Sequence, residues 1–364
     1  MRRSSFLPAI PLFLAIIQIS NSPSQGADSL QPFFDATKVH RSMIIIEQDC
    51  PDPPEAPLQL TQGSKYDVRP GESAEDAEAR YREAVDVLRV FGGTVSEMAD
   101  RTLATLYRRE APARCAGAWL ADWARREALT GAASRQGGHI RKWELATYSV
   151  AYQKVKPWLT VEQRAAIEPW LRQLGALVTE TYERDTDLAS RQNNHLNWAV
   201  WAVANAAVAT GDDVLWAWSR ERFAAILDGV PEDALLPLEM QRGASALGYQ
   251  IYATAALVLT AELFERNGID AYALNARAVP RLVEKALRGL EDPSEIAARA
   301  GEPQDIDNIA SSSRLSWLEA YNARFPNPRV DALLEPLRPL GHRTYGGAIS
   351  LMFGPRSDGA DGMQ

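Results

Sequence analysis

The chain has 364 residues, 46% of them hydrophobic and 24% charged, with a formal net charge of −8. That composition supplies a large apolar core and excludes a disordered or low-complexity chain. The acidic balance argues against a nucleic-acid partner, but it leaves an acidic polysaccharide open, because a local basic groove acts against an opposite net charge.

Met1-Arg2-Arg3, the apolar run from Phe6 to Ile19 and the small residues Ser24-Gln25-Gly26-Ala27 read as a secretory signal over 1–26, leaving 27–364 as one domain. The run is too short to span a bilayer comfortably, and no later stretch is apolar for long enough. Loss of Arg2 and Arg3 takes the charge from −8 to −10. A periplasmic monomer without a membrane span is the expectation. The two cysteines, Cys50 and Cys115, read as one disulfide in an exported chain. The four histidines, His40, His139, His195 and His342, have no ligand spacing, so no metal site is expected.

From Asp28 to Gly63 the chain is irregular, and the proline-rich 49–57 is expected to wrap over the body, held by Cys50. Residues 61–73, with Gly63, Pro70 and Gly71 around Lys65 and Tyr66, read as a mobile surface loop. Almost everything after Ser73 is helical in pattern: 75–90 and 94–108 split by Gly92-Gly93, then 114–129 and 140–155 flanking a turn-rich 130–138. Thr160-Val161-Glu162-Gln163 is a capping box opening a helix to about Glu183, with a kink or break expected at Pro169. Helices follow over 194–209, 213–227, 241–267, 274–287, 313–324 and 330–337, and 345–353 is the one candidate strand. Short turns between long helices predict an all-α fold of antiparallel hairpins, and the pattern does not separate a bundle, a solenoid and a closed ring. Trp119, Trp123, Trp170 and Trp216 read as core, Trp143 as a cleft residue, and Tyr148 and Tyr152 as candidates for sugar contact.

Asn194 and His195 stand at the mouth of an apolar helix, and seven residues separate Arg242 from Tyr249, almost two turns, which stacks guanidinium and phenol on one helix face. Singly these read as an N-cap, a helix-end histidine, a surface arginine and a core aromatic. Together they read as one cleft, with Lys65, Arg135, His139, Arg141 and Lys142 as further basic lining.

Six segments in order carry a family resemblance: Gly63-Ser64-Lys65-Tyr66; Arg141-Lys142-Trp143; Asn193-Asn194-His195 with Trp198-Ala199-Val200-Trp201; Leu236-Pro237-Leu238-Glu239 through Tyr249; Gln304-Asp305 with Ser316-Trp317-Leu318-Glu319; and Tyr345-Gly346-Gly347. They resemble the alginate lyases of polysaccharide lyase family five. The resemblance implies an incomplete (α/α) toroid with a deep substrate cleft and no cofactor. It implies catalytic roles for Asn194, His195, Arg242 and Tyr249, a lid carrying Lys65 and Tyr66, and substrate contacts from Arg141, Lys142 and Trp143. The implied substrate is mannuronate-rich alginate, with glucuronan or another polyuronate as the alternative. Gln250 stands where the family often has histidine after the tyrosine, and Gly243-Ala244-Ser245 where it is often basic.

These groups suit β-elimination. Removing the C5 proton of a uronate builds charge beside a carboxylate, which amide and guanidinium donors offset. Tyr249 is the implied proton carrier and His195 an alternative base, particularly for the C5 epimer. A phenol with a pKa of about 10 is a poor base, so Arg242 and His195 are expected to lower it. A glycoside hydrolase using Asp233 and Glu239 is the enzymatic alternative, and a non-catalytic polyuronate-binding protein is the other.

Overall fold

Several helices begin where a side chain satisfies the orphan N–H groups of the first turn. In the computed structural model, which describes residues 29–39 and 50–355, Ser73 and Asp76 form a capping box opening α1 (Ala74–Ala84). The signal segment and His40 lie outside the described residues. After α2 (Asp86–Ala104) and α3 (Glu110–Arg125), Ser134 caps α4 (Arg135–Val155), and the expected Thr160–Gln163 box opens α5 (Val161–Glu183). The cap of α6 (Asn194–Thr210) is Asn193, whose side chain accepts from His195 N; Asn194 is the first helical residue, not the cap. Gly211, at φ +66°, ends α6, and Asp212 caps α7 (Asp213–Asp228). The chain continues through α8 (Pro237–Met240), α9 (Ala246–Glu265), α10 (Leu274–Glu291), α11 (Ser294–Ala300), α12 (Trp317–Arg324), α13 (Pro328–Leu334) and α14 (Ile349–Phe353).

Packing sorts the long helices into two layers. Inner helices α2, α4, α6, α9 and α12 touch in that order, and α3, α5, α7 and α10 touch in order behind them. This is the (α/α) toroid of hairpins. The inner members α6 and α9 are buried almost all round, and their alanines allow close approach. His139 on α4 stacks on His195 of α6 at one end, while Gln153 bonds Asn205 at the other, so α4 and α6 run parallel. Trp198 against Tyr252 and Asn197 bonded to Ala253 O set α9 in the same direction. Three inner N-termini therefore converge at one end of the ring, where helix dipoles favour anions.

Several expected breaks are absent. α2 runs through Gly92-Gly93, because Gly92 is the space into which Arg343 fits; a Cβ there collides with its guanidinium. Pro169 sits within α5 on an exposed face, so the carbonyl it leaves unpaired on exposed Ala165 meets solvent. Helix α4 starts at Arg135, inside the turn-rich stretch, and needs Gly137 because the Leu60 carbonyl lies against it. Conversely, the helix expected from Gln241 begins at Ala246, since Gly243 at φ +56° turns the chain. No strand forms over 345–353; β pairing among the described residues is limited to the isolated bridges Leu60–Ala133 and His342–Gly347.

Cys50 and Cys115 form a disulfide (S–S 2.08 Å) that fastens the proline-rich segment to α3. There Trp119 Nε1 donates to Pro51 O (2.7 Å) and Trp123 Nε1 to Pro54 O (2.9 Å). Trp119, Trp123 and Trp170 are buried, as expected; Trp216 packs partly buried on Phe264. Tyr148 and Tyr152 are also fully buried, which removes them from sugar contact. Tyr148 lies in the Phe91–Trp123 cluster, and Tyr152 Oη donates to Glu168.

Candidate active site

At the N-terminal end of the inner helices lies a cleft of about 580 Å³, lined by Lys65, Tyr66, Trp143, Tyr249, Arg314 and Tyr345 among others. The 61–73 loop closes over it. Tyr66 is 65% exposed, yet its hydroxyl lies 3.2 Å from that of Tyr249, and Lys65 Nζ sits over the Tyr66 ring.

Asn194 is oriented by a residue on α8. Its backbone N donates to Glu239 Oε1 (2.7 Å) and its Nδ2 to Oε2 (3.0 Å), while Oδ1 is buried without a partner. The carboxylate thus fixes which way the amide points. Burial raises the Glu239 pKa; the two Asn194 bonds and the Arg242 charge oppose that rise. Both oxygens being committed, Glu239 is not the free carboxylate a hydrolase needs. Asp233 accepts from Leu235 N in a turn and lies in a separate surface groove with Arg277 and Arg281. The Asp233–Glu239 pair is therefore corrected as a hydrolytic dyad.

Arg242 and Tyr249 do meet, but not along one helix face. Arg242 precedes the turn at Gly243, and its guanidinium lies over the Tyr249 ring, 3.9 Å from the centroid. Gln304 locks this turn: Oε1 accepts from Leu247 N (2.8 Å) and Nε2 donates to Gly243 O (3.1 Å). Asp305 N adds a bond to Ala244 O. The expected lowering of the Tyr249 pKa is reversed. Burial and then the Tyr66 hydroxyl push it up, and Arg242 only partly offsets them, so the resting phenol keeps its proton.

His195 lies against Trp143 and stacks face to face on His139, with centroids 3.8 Å apart and planes within 7°. Its Nδ1 is 2.9 Å from Lys142 Nζ. Burial, the leading cause, holds His195 neutral well below the usual histidine range and presses His139 to about 2.

Two expected substrate contacts are placed elsewhere. Arg141 is buried, donating to Leu129 O (2.8 Å) and Gly131 O (2.5 Å), where it supports the segment before α4. Lys142 is fully buried behind His195. Successive helical residues point about 100° apart, so of Arg141-Lys142-Trp143 only Trp143 faces the cleft. Gln250 does not face it either: buried, it accepts from Leu236 N and donates to Ala234 O, bracing the chain ahead of α8. Sequence reasoning missed the support that Glu239 and His139 give, and it missed Arg314, Asp305 and Asp307 in the cleft wall. Only the Gln304-Asp305 string pointed toward that wall. Arg343 also lines the cleft and is anchored by two 2.7 Å bonds to Glu144.

The fold and site thus define an (α/α) toroid with a polar cleft lined by Trp143 and Tyr249, His195 lying against Trp143 and Arg242 over the Tyr249 ring, while Asn194, 1% exposed, lies outside the lining. The chain belongs to the alginate lyase family, whose sequence profile matches residues 64–296. It is 32% identical over 308 residues to a polysaccharide lyase of Stenotrophomonas maltophilia, covering 83% of this chain and 90% of that one. With an alginate lyase of Pseudomonas aeruginosa it shares 29% identity over 365 residues, covering 95% and 96%. Among solved structures, a histidine-to-alanine variant of alginate lyase A1-III complexed with a tetrasaccharide matches with TM-score 0.73 at 26% identity, over 86% of this chain and 88% of that one. Alginate lyase A1-III from Sphingomonas species A1 matches in fold with TM-score 0.78 at 24% identity, covering 89% and 96%.

Proposed function

We propose that this alginate lyase cleaves 1,4-linked mannuronate-rich polymer by β-elimination in the periplasm. The observation that carries the proton chemistry is the resting state of one cluster. His195 is neutral with Nδ1 engaged, and Tyr249 is a protonated phenol beside Arg242. The site at rest holds one proton acceptor and one donor, the pair an elimination consumes.

Arg242 and Asn194 Nδ2 receive the carboxylate carried on C5, offsetting the charge that builds as the C5 proton leaves. His195 Nε2 takes that proton. The C5–H electron pair becomes the C4=C5 double bond, the C4–O bond breaks, and Tyr249 protonates the departing oxygen. In mannuronate the C5 proton and C4 oxygen leave from the same face, which suits acceptor and donor drawn from a single cluster. Closure of Tyr66 on Tyr249 excludes water from the reacting bond.

The test is the ultraviolet band of unsaturated uronate on mixing the protein separately with polymannuronate, polyguluronate and glucuronan. A band strongest on polymannuronate and lost in Tyr249→Phe and His195→Ala is expected. A stronger band on glucuronan reassigns the substrate, and new reducing ends without a band mean hydrolysis. Fractionation of cells expressing the full chain tests the location; activity retained in the cytoplasm contradicts it.

A further inference from the structure

Behind the cleft is a buried cluster that the reaction as described leaves unused. Lys142 is 0% exposed, and its Nζ has two hydrogen-bond partners, both imidazole nitrogens: His195 Nδ1 at 2.9 Å and His139 Nδ1 at 3.3 Å. No carboxylate pairs with it among the described residues. The charged side chains acting on the cluster from outside are Arg191, over the Tyr182 ring, Arg135 on the His139 side and Arg242 on the cleft side, all cations. Glu239, the carboxylate of this region, is committed to Asn194. An ammonium ion sealed from water beside other cations, with no anion to pair with, is a costly arrangement.

We infer that Lys142 is a positioning residue that works as a neutral amine, accepting Nδ1–H from His195 and so leaving Nε2 of that ring a bare acceptor. The inference deepens, and rests on, the reading of His195 as proton acceptor. Arg191 lies over the Tyr182 ring, and the Tyr182 hydroxyl donates to His139 Nδ1 at 3.3 Å. The amine lone pair receives His195 Nδ1–H. One amine hydrogen shares the single His139 Nδ1 lone pair with the Tyr182 hydroxyl, each at 3.3 Å, and the other has the Trp143 ring, 4.3 Å from Nζ to centroid. Parallel stacking at 3.8 Å suits two uncharged rings. Burial, the leading cause, drives the Lys142 pKa far down and agrees with this assignment. A charged Lys142 gives the opposite result: it must donate to Nδ1, which puts the His195 proton on Nε2 and turns the ring into a donor.

Long-range ¹H–¹⁵N spectra of the full protein labelled with ¹⁵N-histidine separate the two, with the His195 signals assigned by their loss in His195→Gln. At neutral pH the expected wild-type pattern is a protonated Nδ1 and a bare Nε2. A proton on Nε2 overturns the inference. Kinetics supply a second readout, on variants first shown to unfold as cooperatively as wild type. Lys142→Gln offers a neutral acceptor and is expected to keep kcat within about tenfold, whereas Lys142→Met, with no acceptor, and Lys142→Arg, an obligate donor, lose about a hundredfold. Activity kept by Lys142→Arg and lost by Lys142→Gln refutes the inference. The spectra need no substrate, so absence of cleavage on every polyuronate defeats the proposed reaction while the tautomer still decides the role of Lys142.

Discussion

Replacing Glu239 by glutamine tests whether the active-site amide is held from behind. Glu239 is 1% exposed, and its two oxygens take both Asn194 donors. Glutamine keeps one acceptor and turns an N–H group toward the other donor, so one buried, charge-assisted bond is lost, worth about 1.5–3 kcal/mol. Removing a charge that burial disfavours offsets part of this, for a net cost of about 1–2 kcal/mol at neutral pH. The raised pKa gives a second signature. The folded protein holds the Glu239 proton more tightly than the unfolded chain, so its stability falls as pH rises from the ordinary carboxylate range to the raised value, then levels off. Glutamine removes that slope. With the amide no longer fixed, kcat/KM on polymannuronate falls by about 10²-fold. Urea unfolding across pH and initial rates of double-bond formation read both effects. Unchanged kcat/KM in Glu239→Gln refutes the claim that this carboxylate orients Asn194.

Tyr66→Phe removes the lid hydroxyl that helps raise the Tyr249 pKa, so the alkaline limb of kcat against pH shifts downward, and KM rises as the closed lid loses its bond. An unshifted limb argues against contact in solution. Replacing both Cys50 and Cys115 by serine opens a cross-link between residues 65 apart, with loss of up to about 4 kcal/mol by loop entropy and little change in kcat, measured by urea unfolding in oxidised and reduced protein. Burial holds His139 to a pKa of about 2, whereas the unfolded chain takes up that proton below about pH 6.5. Stability therefore falls as pH drops from there toward 2, and His139→Gln flattens the unfolding midpoint over that range.

What the sequence made legible was what rests on local chemistry. The Thr160–Gln163 box and the buried Trp119, Trp123 and Trp170 stand where pattern placed them, because caps and apolar faces act within a turn or two of chain. Two of the misreadings share one cause, a distant partner that reverses a local preference. Gly92-Gly93 reads as a break until Arg343 is seen to need that space. Arg141 and Lys142 read as cleft cations, since composition does not tell which face of α4 turns to the ring and which to the Leu129 and Gly131 carbonyls. The order of motifs named the candidate residues, whereas the support from Glu239, Gln304 and His139 depends on side chains brought together from separate elements.

The layout also reconciles an acidic chain with an acidic polymer. The net charge of −8 is spread over the whole molecule, and a polymer entering the cleft meets a local field instead. Three helix N-termini lie at the cleft end of the ring, each equivalent to about half a positive charge, with Arg242 at Tyr249, while on the walls Lys65 and Arg314 are offset by Asp305 and Asp307. Buried full charges carry desolvation costs that backbone dipoles largely escape, because helix N–H groups are already fixed in the folded chain. The groups to which the proposed reaction assigns proton transfer are kept uncharged: His195 against Trp143, and Tyr249 under the lid. Attraction of the polymer and transfer of the proton are thus assigned to different kinds of group. That separation lets the cleft hold a polyanion without fixing a permanent cation at the proton acceptor itself.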